Sequence, residues 1–334
     1  MLFEPQDNHA GRSLPYLCTV TDKMIKKMEK ISGTDNSLVL HFPTGDVECL
    51  GGSAPAWREI VDNSHIHIAG NGNRVNLHFG SEEEAVRLLR NIAFNILIIG
   101  DGNEMNVGKS LTVCHNGGRG MFGMHLAIGT AFDPWTGTPR TANNCRMDIG
   151  EHVITCGAVI YLQEDGSHIT IGRDSMIGWG VDIWCTDAHT IMDMEGNPTN
   201  HPHFIEIGEH VWVGKDVKIG KNVRIGSDNI IGWGSIVTKS FESSNQLLVG
   251  SPAKVVKTGV RWDERTIKEY MKGSGRRKRY MPLMAVRGGT GTRPRSLTRY
   301  WKDAGTLSRA WWKRSASISE TCTIPAARAV SPAS

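Results

Sequence analysis

The chain has 334 residues, 39% of them hydrophobic and 22% charged, enough to bury a sizeable core as one large or two medium domains. No run reaches the roughly 18 consecutive apolar residues of a membrane span, and the first residues lack a basic segment leading into an apolar one, so neither a spanning helix nor a secretory leader is expected and a cytoplasmic location is. The net charge of +4 conceals an asymmetry: residues 273–334 hold 13 Lys/Arg against Asp303 and Glu320 alone, whereas the remainder is mildly acidic.

From the N-terminus, residues 20–31 read as a helix and 37–60 as a source of short strands. Residues 65–79 and 97–113 carry aliphatic–glycine patterns that read as early, less regular coils. Between them, 81–94 opens with Ser81 followed by Glu84, a capping-box spacing ahead of an apolar run, and predicts a helix. Across 114–148 the phase is lost and Gly, Asn, Pro and Thr dominate, which predicts a loop. The pattern returns at Ile149-Gly150 and at leaders Ile171, Ile177 and Ile183.

From Ile207 it becomes strict. Aliphatic residues stand at 207, 213, 219, 225, 231 and 237, a glycine follows each of the first five, and a second small or aliphatic residue stands four places on, at Val211, Val217, Val223, Asn229 and Ser235. A helix of 3.6 residues per turn cannot place positions six apart on one face. Short strands with a corner every six residues can. Three such units make one coil of a prism, each leader points inward, the glycine is read as easing the corner, and stacked coils align their leaders into ladders. Residues 263–272 predict one short helix, and the tail beyond is too poor in a periodic apolar face to fold by itself. The divisions are thus an N-terminal α/β region (1–63), irregular early coils with an inserted helix and a loop (64–148), the hexapeptide-repeat β-helix (149–258), a short helix (259–272) and a basic, disordered tail (273–334).

The seven cysteines (18, 49, 114, 145, 156, 185, 322) never form a C-x-x-C pair and read as reduced thiols. His189 stands where the repeat is interrupted between Ile183 and Ile205, at the root of a loop containing Gly, Pro, Asn and two further histidines, His201 and His203. A histidine suits the removal of a proton from a weakly acidic hydroxyl near neutral pH. Trp212 immediately precedes a leader and so points away from the prism interior.

The segment 169–257 resembles the hexapeptide-repeat acetyltransferases, through DAHTI (187–191), HVWVG (210–214), IGWGSIVTK (231–239) and GSPAKVVK (250–257) in that order. The D-A-H-T-I-M-D form followed by a loop and HVWVG is most similar to the polysaccharide and lipopolysaccharide O-acetyltransferases. The resemblance implies a mainly β chain wound as a left-handed parallel β-helix, a homotrimer with active sites between neighbouring prisms, acetyl-CoA as co-substrate, no metal, and a sugar or glycan acceptor. It implies His189 as the base and Trp212 beside the thioester; Asp187 or a backbone carbonyl is expected to hold the second ring nitrogen of His189 and fix its tautomer. For the cofactor it implies Lys215, Trp233, Gly234, Ser235, Thr238, Lys239, Lys254 and Lys257, with the lysines meeting phosphates. No nucleic-acid partner is expected, and the basic tail is the candidate for peripheral membrane contact.

Three other readings stay open on sequence: an N-acetyltransferase of an amino sugar or nucleotide sugar, a metal enzyme of the γ-carbonic-anhydrase kind using His65 and His67, and a repeat scaffold without catalysis.

Overall fold

The computed structural model describes residues 30–114, 123–130, 138–200 and 203–273. The helix expected over 20–31 falls almost wholly outside these residues, as does the basic tail. Three parallel sheets wind as a left-handed parallel β-helix of triangular section, and we call its sides faces A, B and C. Eight successive coils are traced among the described residues. The sixth, which carries the site, runs through Val181–Cys185 on face A, Phe204–Ile207 on face B and Trp212–Val213 on face C.

Alternation within each strand builds the core. Every leader from Ile207 to Val237 is at most 2% exposed, as are Ile171, Ile177 and Ile183, so they share one interior. In-register pairing stacks them: Ile171, Ile207 and Ile225 on face B, Ile183, Ile219 and Val237 on face A, Ile177, Val213 and Ile231 on face C. Burying each such side chain contributes about 1.5–3 kcal/mol.

The glycines that follow the leaders have a different cause from the expected one. Gly150, Gly172, Gly208 and Gly214 are absent from the positive-φ residues. A Cβ on Gly172 would sit 2.5 Å from the backbone of Gly208 and Glu209 in the next coil, and one on Gly150 would sit 2.4 Å from the Arg173 nitrogen. Glycine is needed there for close approach between coils. The left-handed turn is made two residues later by His152, Asp174, His210, Asp216, Asn222 and Asp228, all with φ between 52° and 60°. Asn and Asp accept that conformation more readily than most residues, because their short polar side chains bond locally.

The β-helix also begins earlier than the sequence pattern shows. Ile31–Ser32 and Ser37–Phe42, within the region read as irregular α/β, pair in parallel with Ile66–Ala69 and Arg74–His78 of the second coil. Two helices then replace face C in the first two coils: α1 (Pro55–Asp62) and α2 (Glu82–Leu89). Helix α2 is capped as expected, the Ser81 hydroxyl accepting from the Glu84 N–H. The stretch read as a loop over 114–148 contains Met124–Ile128, whose Met124, Leu126 and Ile128 are buried on face A, and Arg146–Ile149 on face B. At the other end the chain closes with Gln246–Gly250 and the antiparallel Ala253–Thr258. As a separate unit, helix α3 (Ile267–Gly273) lies where a short helix was expected.

Candidate active site

The A-to-B corner of the sixth coil is expanded into residues 186–203, and this insertion has structure of its own. Met192 bridges Pro198 antiparallel, the Thr199 N–H donates to the Ile191 carbonyl at 2.8 Å, and the Asp193 carboxylate accepts from the N–H groups of Glu195 and Asn197. The result is a small hairpin arm. Its turn hydrogen bonds, the Asn197 amide first, hold the Asp193 carboxyl below its ordinary range. Ile191, Met192 and Met194 are exposed on it, Met194 by 97%.

His189 is exposed at the root of this arm, and the chain before it is fixed tightly. Ala188 has φ of 59°, an uncommon conformation for a residue with a Cβ. Both of its backbone groups are bonded: its N–H donates to the Thr186 hydroxyl at 2.7 Å, and its carbonyl accepts from Arg140 Nη1 at 2.9 Å. The Thr186 hydroxyl in turn donates to Glu164 Oε1 at 2.5 Å. On the other side, the Asn200 amide donates to both the His189 carbonyl and Asp187 Oδ2, each at 2.8 Å. Asp187 Oδ2 is ion-paired with Lys221 of the next coil. Asp187 holds the loop through Lys221 and Asn200. Arg140, Thr186, Asn200 and Lys221 were not singled out by sequence reasoning.

The thiols beside this corner are not poised as nucleophiles. Burial pushes Cys145 up to about 11 and raises Cys185 further, with the Glu164 carboxylate adding to the latter. His203, at the end of this insertion, is only 2% exposed and so is buried.

The remaining predicted residues lie on other parts of the prism. Trp212 points outward from face C, in register with Met176 and Ile230. Lys215, paired with Asp216, and the 73% exposed Trp233 stand above one another on the C-to-A corner, and Gly234 takes φ of 66° there. Ser235 is fully buried, its hydroxyl donating to the Gly232 carbonyl at 2.7 Å and accepting from the Gly250 N–H at 3.2 Å, so its side chain shapes the corner. Thr238 and Lys239 are exposed on the A-to-B corner of the last coil. Lys254 and Lys257 sit opposite Val249 and Leu247; the register shift beside Leu247 brings both lysines to one face of the closing hairpin. A single chain therefore does not bring His189, Trp212 and the closing lysines together, because they occupy different edges and faces of one prism.

Among the described residues of one chain, no group of three or more His, Cys, Asp or Glu is placed to hold an ion. His67 is nearly buried, which lowers it to about 4.

A prism of six-residue units from which a histidine-bearing arm is extruded defines the class of hexapeptide-repeat transferases. The bacterial transferase hexapeptide (six repeats) family matches residues 204–239. An uncharacterised 24.8 kDa protein in the cps region of Klebsiella pneumoniae is 35% identical over 190 residues, covering 54% of this chain and 79% of the relative. The polysialic acid O-acetyltransferase of Neisseria meningitidis is 29% identical over 124 residues, covering 36% and 57%. The crystal structure of the polySia-specific acetyltransferase NeuO shares the fold at 22% identity with a TM-score of 0.51, covering 74% of this chain and 93% of that one. The chain belongs to the hexapeptide-repeat acetyltransferase family, and it is an acyltransferase.

Proposed function

We propose that the protein transfers an acetyl group from acetyl-CoA to a sugar hydroxyl of a polysaccharide or its precursor, with His189 as the general base. The observation that carries this reading is the fixation of His189: it follows a left-handed Ala188 whose N–H and carbonyl are both bonded, on an arm that stands clear of the core. Strain held in this way is a feature of working sites. The relatives named as acting on polysialic acid support a polymeric sugar acceptor.

The steps balance with this chain's own groups. His189 Nε2 takes the acceptor proton as the hydroxyl oxygen attacks the thioester carbon. The tetrahedral intermediate collapses with cleavage of the C–S bond, and the imidazolium returns the proton to the departing thiolate. No covalent acyl-enzyme is needed, in keeping with the raised thiols beside the site.

Assembly completes the site. Because His189 and Trp212 occupy different sides of one prism, the working unit is a homotrimer in which the arm of one copy reaches the face C of its neighbour. The exposed Ile191, Met192 and Met194 are the contact it offers. Acetyl-CoA lies along the later coils, with Trp233 against its arm and Lys254 and Lys257 at its phosphates. The enzyme works in the cytoplasm.

The test is release of CoA thiol from acetyl-CoA in the presence of bacterial polysaccharides. Release is expected only with a glycan present. In the Lys254→Glu/Lys257→Glu double variant, KM for acetyl-CoA should rise about tenfold, as expected for losing charge-assisted phosphate contacts of about 1.5 kcal/mol. Glycan-independent release, or an unchanged KM, contradicts the respective part of the reading.

A further inference from the structure

We infer that a second feature, a groove on face C walled by residues 261–265, is the seat of a sugar-chain segment leading to the transfer site. The inference rests on the acyltransfer reading only for its direction, not for the binding itself. After Gly259 the chain turns back along the prism and is tied down. The Val260 N–H donates to the Asn245 carbonyl at 3.1 Å, and Trp262 Nε1 donates to the His210 carbonyl at 2.8 Å. The Trp262 indole stacks on the His210 ring at 4.3 Å and 12°, and His210 Nδ1 is paired with Asp228 at 2.9 Å. The wall is therefore built before any ligand arrives.

Between this wall and the coils lies a groove of about 680 Å³. Its floor is the outward column Thr112, Ile154 and Met176, one residue per coil in strict register. The next member of that column is Trp212, whose ring is 6.1 Å from Trp262. The groove thus runs along the prism axis, at about 4.8 Å per coil, and ends at the tryptophan placed beside the thioester.

Its chemistry selects a saccharide. Ile154 and Met176 make part of the floor apolar and an aromatic ring closes it, which suits the C–H face of a sugar, while the Thr112 hydroxyl can bond to a sugar hydroxyl. The rim offers donors and acceptors already matched in charge: His152 with Asp174 at 3.3 Å and Arg265 with Asp263 at 2.7 Å. Phosphate recognition needs unpaired cations and free N–H groups. Arg261 alone among the lining cations has no ion pair among the described residues, and Glu264 also lines the groove. The groove therefore reads hydroxyls, not a nucleotide.

Two variants test this, Trp262→Ala and Ile154→Arg, the second placing a bulky charge on the outward floor without touching the core. Binding to an immobilised panel of acidic and neutral bacterial capsular oligosaccharides is measured with the full-length protein, alongside CoA affinity and sedimentation. Wild type should bind a subset of the panel, both variants should weaken that binding at least tenfold, and CoA affinity and oligomeric state should not change. No binding by wild type, or unweakened binding by the variants, overturns the proposal. So does a parallel loss of CoA affinity, which would give the groove to the cofactor, or dissociation of the oligomer, which would make it a contact between copies. Retained binding without acetyl transfer would sink the catalytic reading and leave the groove standing.

Discussion

Replacing His189 by alanine is expected to lower kcat for glycan acetylation by a factor of about 10²–10⁴, the usual contribution of a positioned general base. KM for acetyl-CoA should stay within about twofold, since the proposed cofactor contacts lie on later coils. Steady-state kinetics on the purified variant checks both. The fold should not suffer: His189 is exposed on an inserted arm, and its backbone bond to Asn200 does not depend on the ring. Arg140 gives an intermediate case. Arg140→Gln removes the guanidinium that bonds the Ala188 carbonyl. If that contact holds Ala188 in its left-handed conformation, kcat should fall and Ala188→Gly should restore part of it, because glycine adopts positive φ without the penalty of about 1–2 kcal/mol. A loss of kcat that Ala188→Gly does not relieve would mean that Arg140 acts in another way.

The second large effect is on stability. Gly172→Ala is expected to destabilise the fold by about 3 kcal/mol, at the upper end for overpacking, because the new Cβ meets backbone and not a movable side chain. For a chain of this size that lowers Tm by roughly 4–6 °C. Asn222→Gly, at a left-handed corner with φ of 58°, should change stability by less than about 1 kcal/mol. Thermal unfolding of the two variants distinguishes the causes. If glycine after a leader served the turn, both positions would behave as turn positions; if it serves the approach of neighbouring coils, only Gly172→Ala is costly.

Much of this architecture was legible because one rule repeats. From Ile207 onward each leader obeys a six-residue period, and a side chain that must point inward on every coil cannot vary widely. The first coil hid, and the next two showed only weakly, for a physical reason. Their inner corner is filled by asparagines: Asn73 Nδ2 donates to Asn36 Oδ1, and Asn103 Nδ2 to Asn73 Oδ1, each at 3.0 Å. A hydrogen-bonded ladder of amides satisfies the interior without an aliphatic signature. Their strands are also longer, and helices α1 and α2 stand in for one face, so the period is broken. The segment 124–128 escaped notice because the Gly- and Pro-rich residues on either side of it dominated the composition.

The site was legible in its motif and not in its support. The DAHT tetrad singles out His189, but its partners come from distant turns of the coil. Arg140 reaches Ala188 across 48 positions and Lys221 reaches Asp187 across 34. Such contacts are set by how many coils intervene, which a linear pattern does not display. Trp262 meets His210 across 52 positions for the same reason. The left-handed Ala188 has no sequence signal at all, since alanine is not a residue that favours positive φ.

Where the acetyl group lands decides the account most directly. Purified protein, acetyl-CoA labelled in its acetyl carbonyl and a responsive capsular oligosaccharide are incubated, and the product is followed by NMR before and after mild alkali. The account predicts one new ester carbonyl for each CoA released, lost on treatment with alkali. An alkali-stable amide carbonyl, or CoA release with the label appearing only in free acetate, would contradict it.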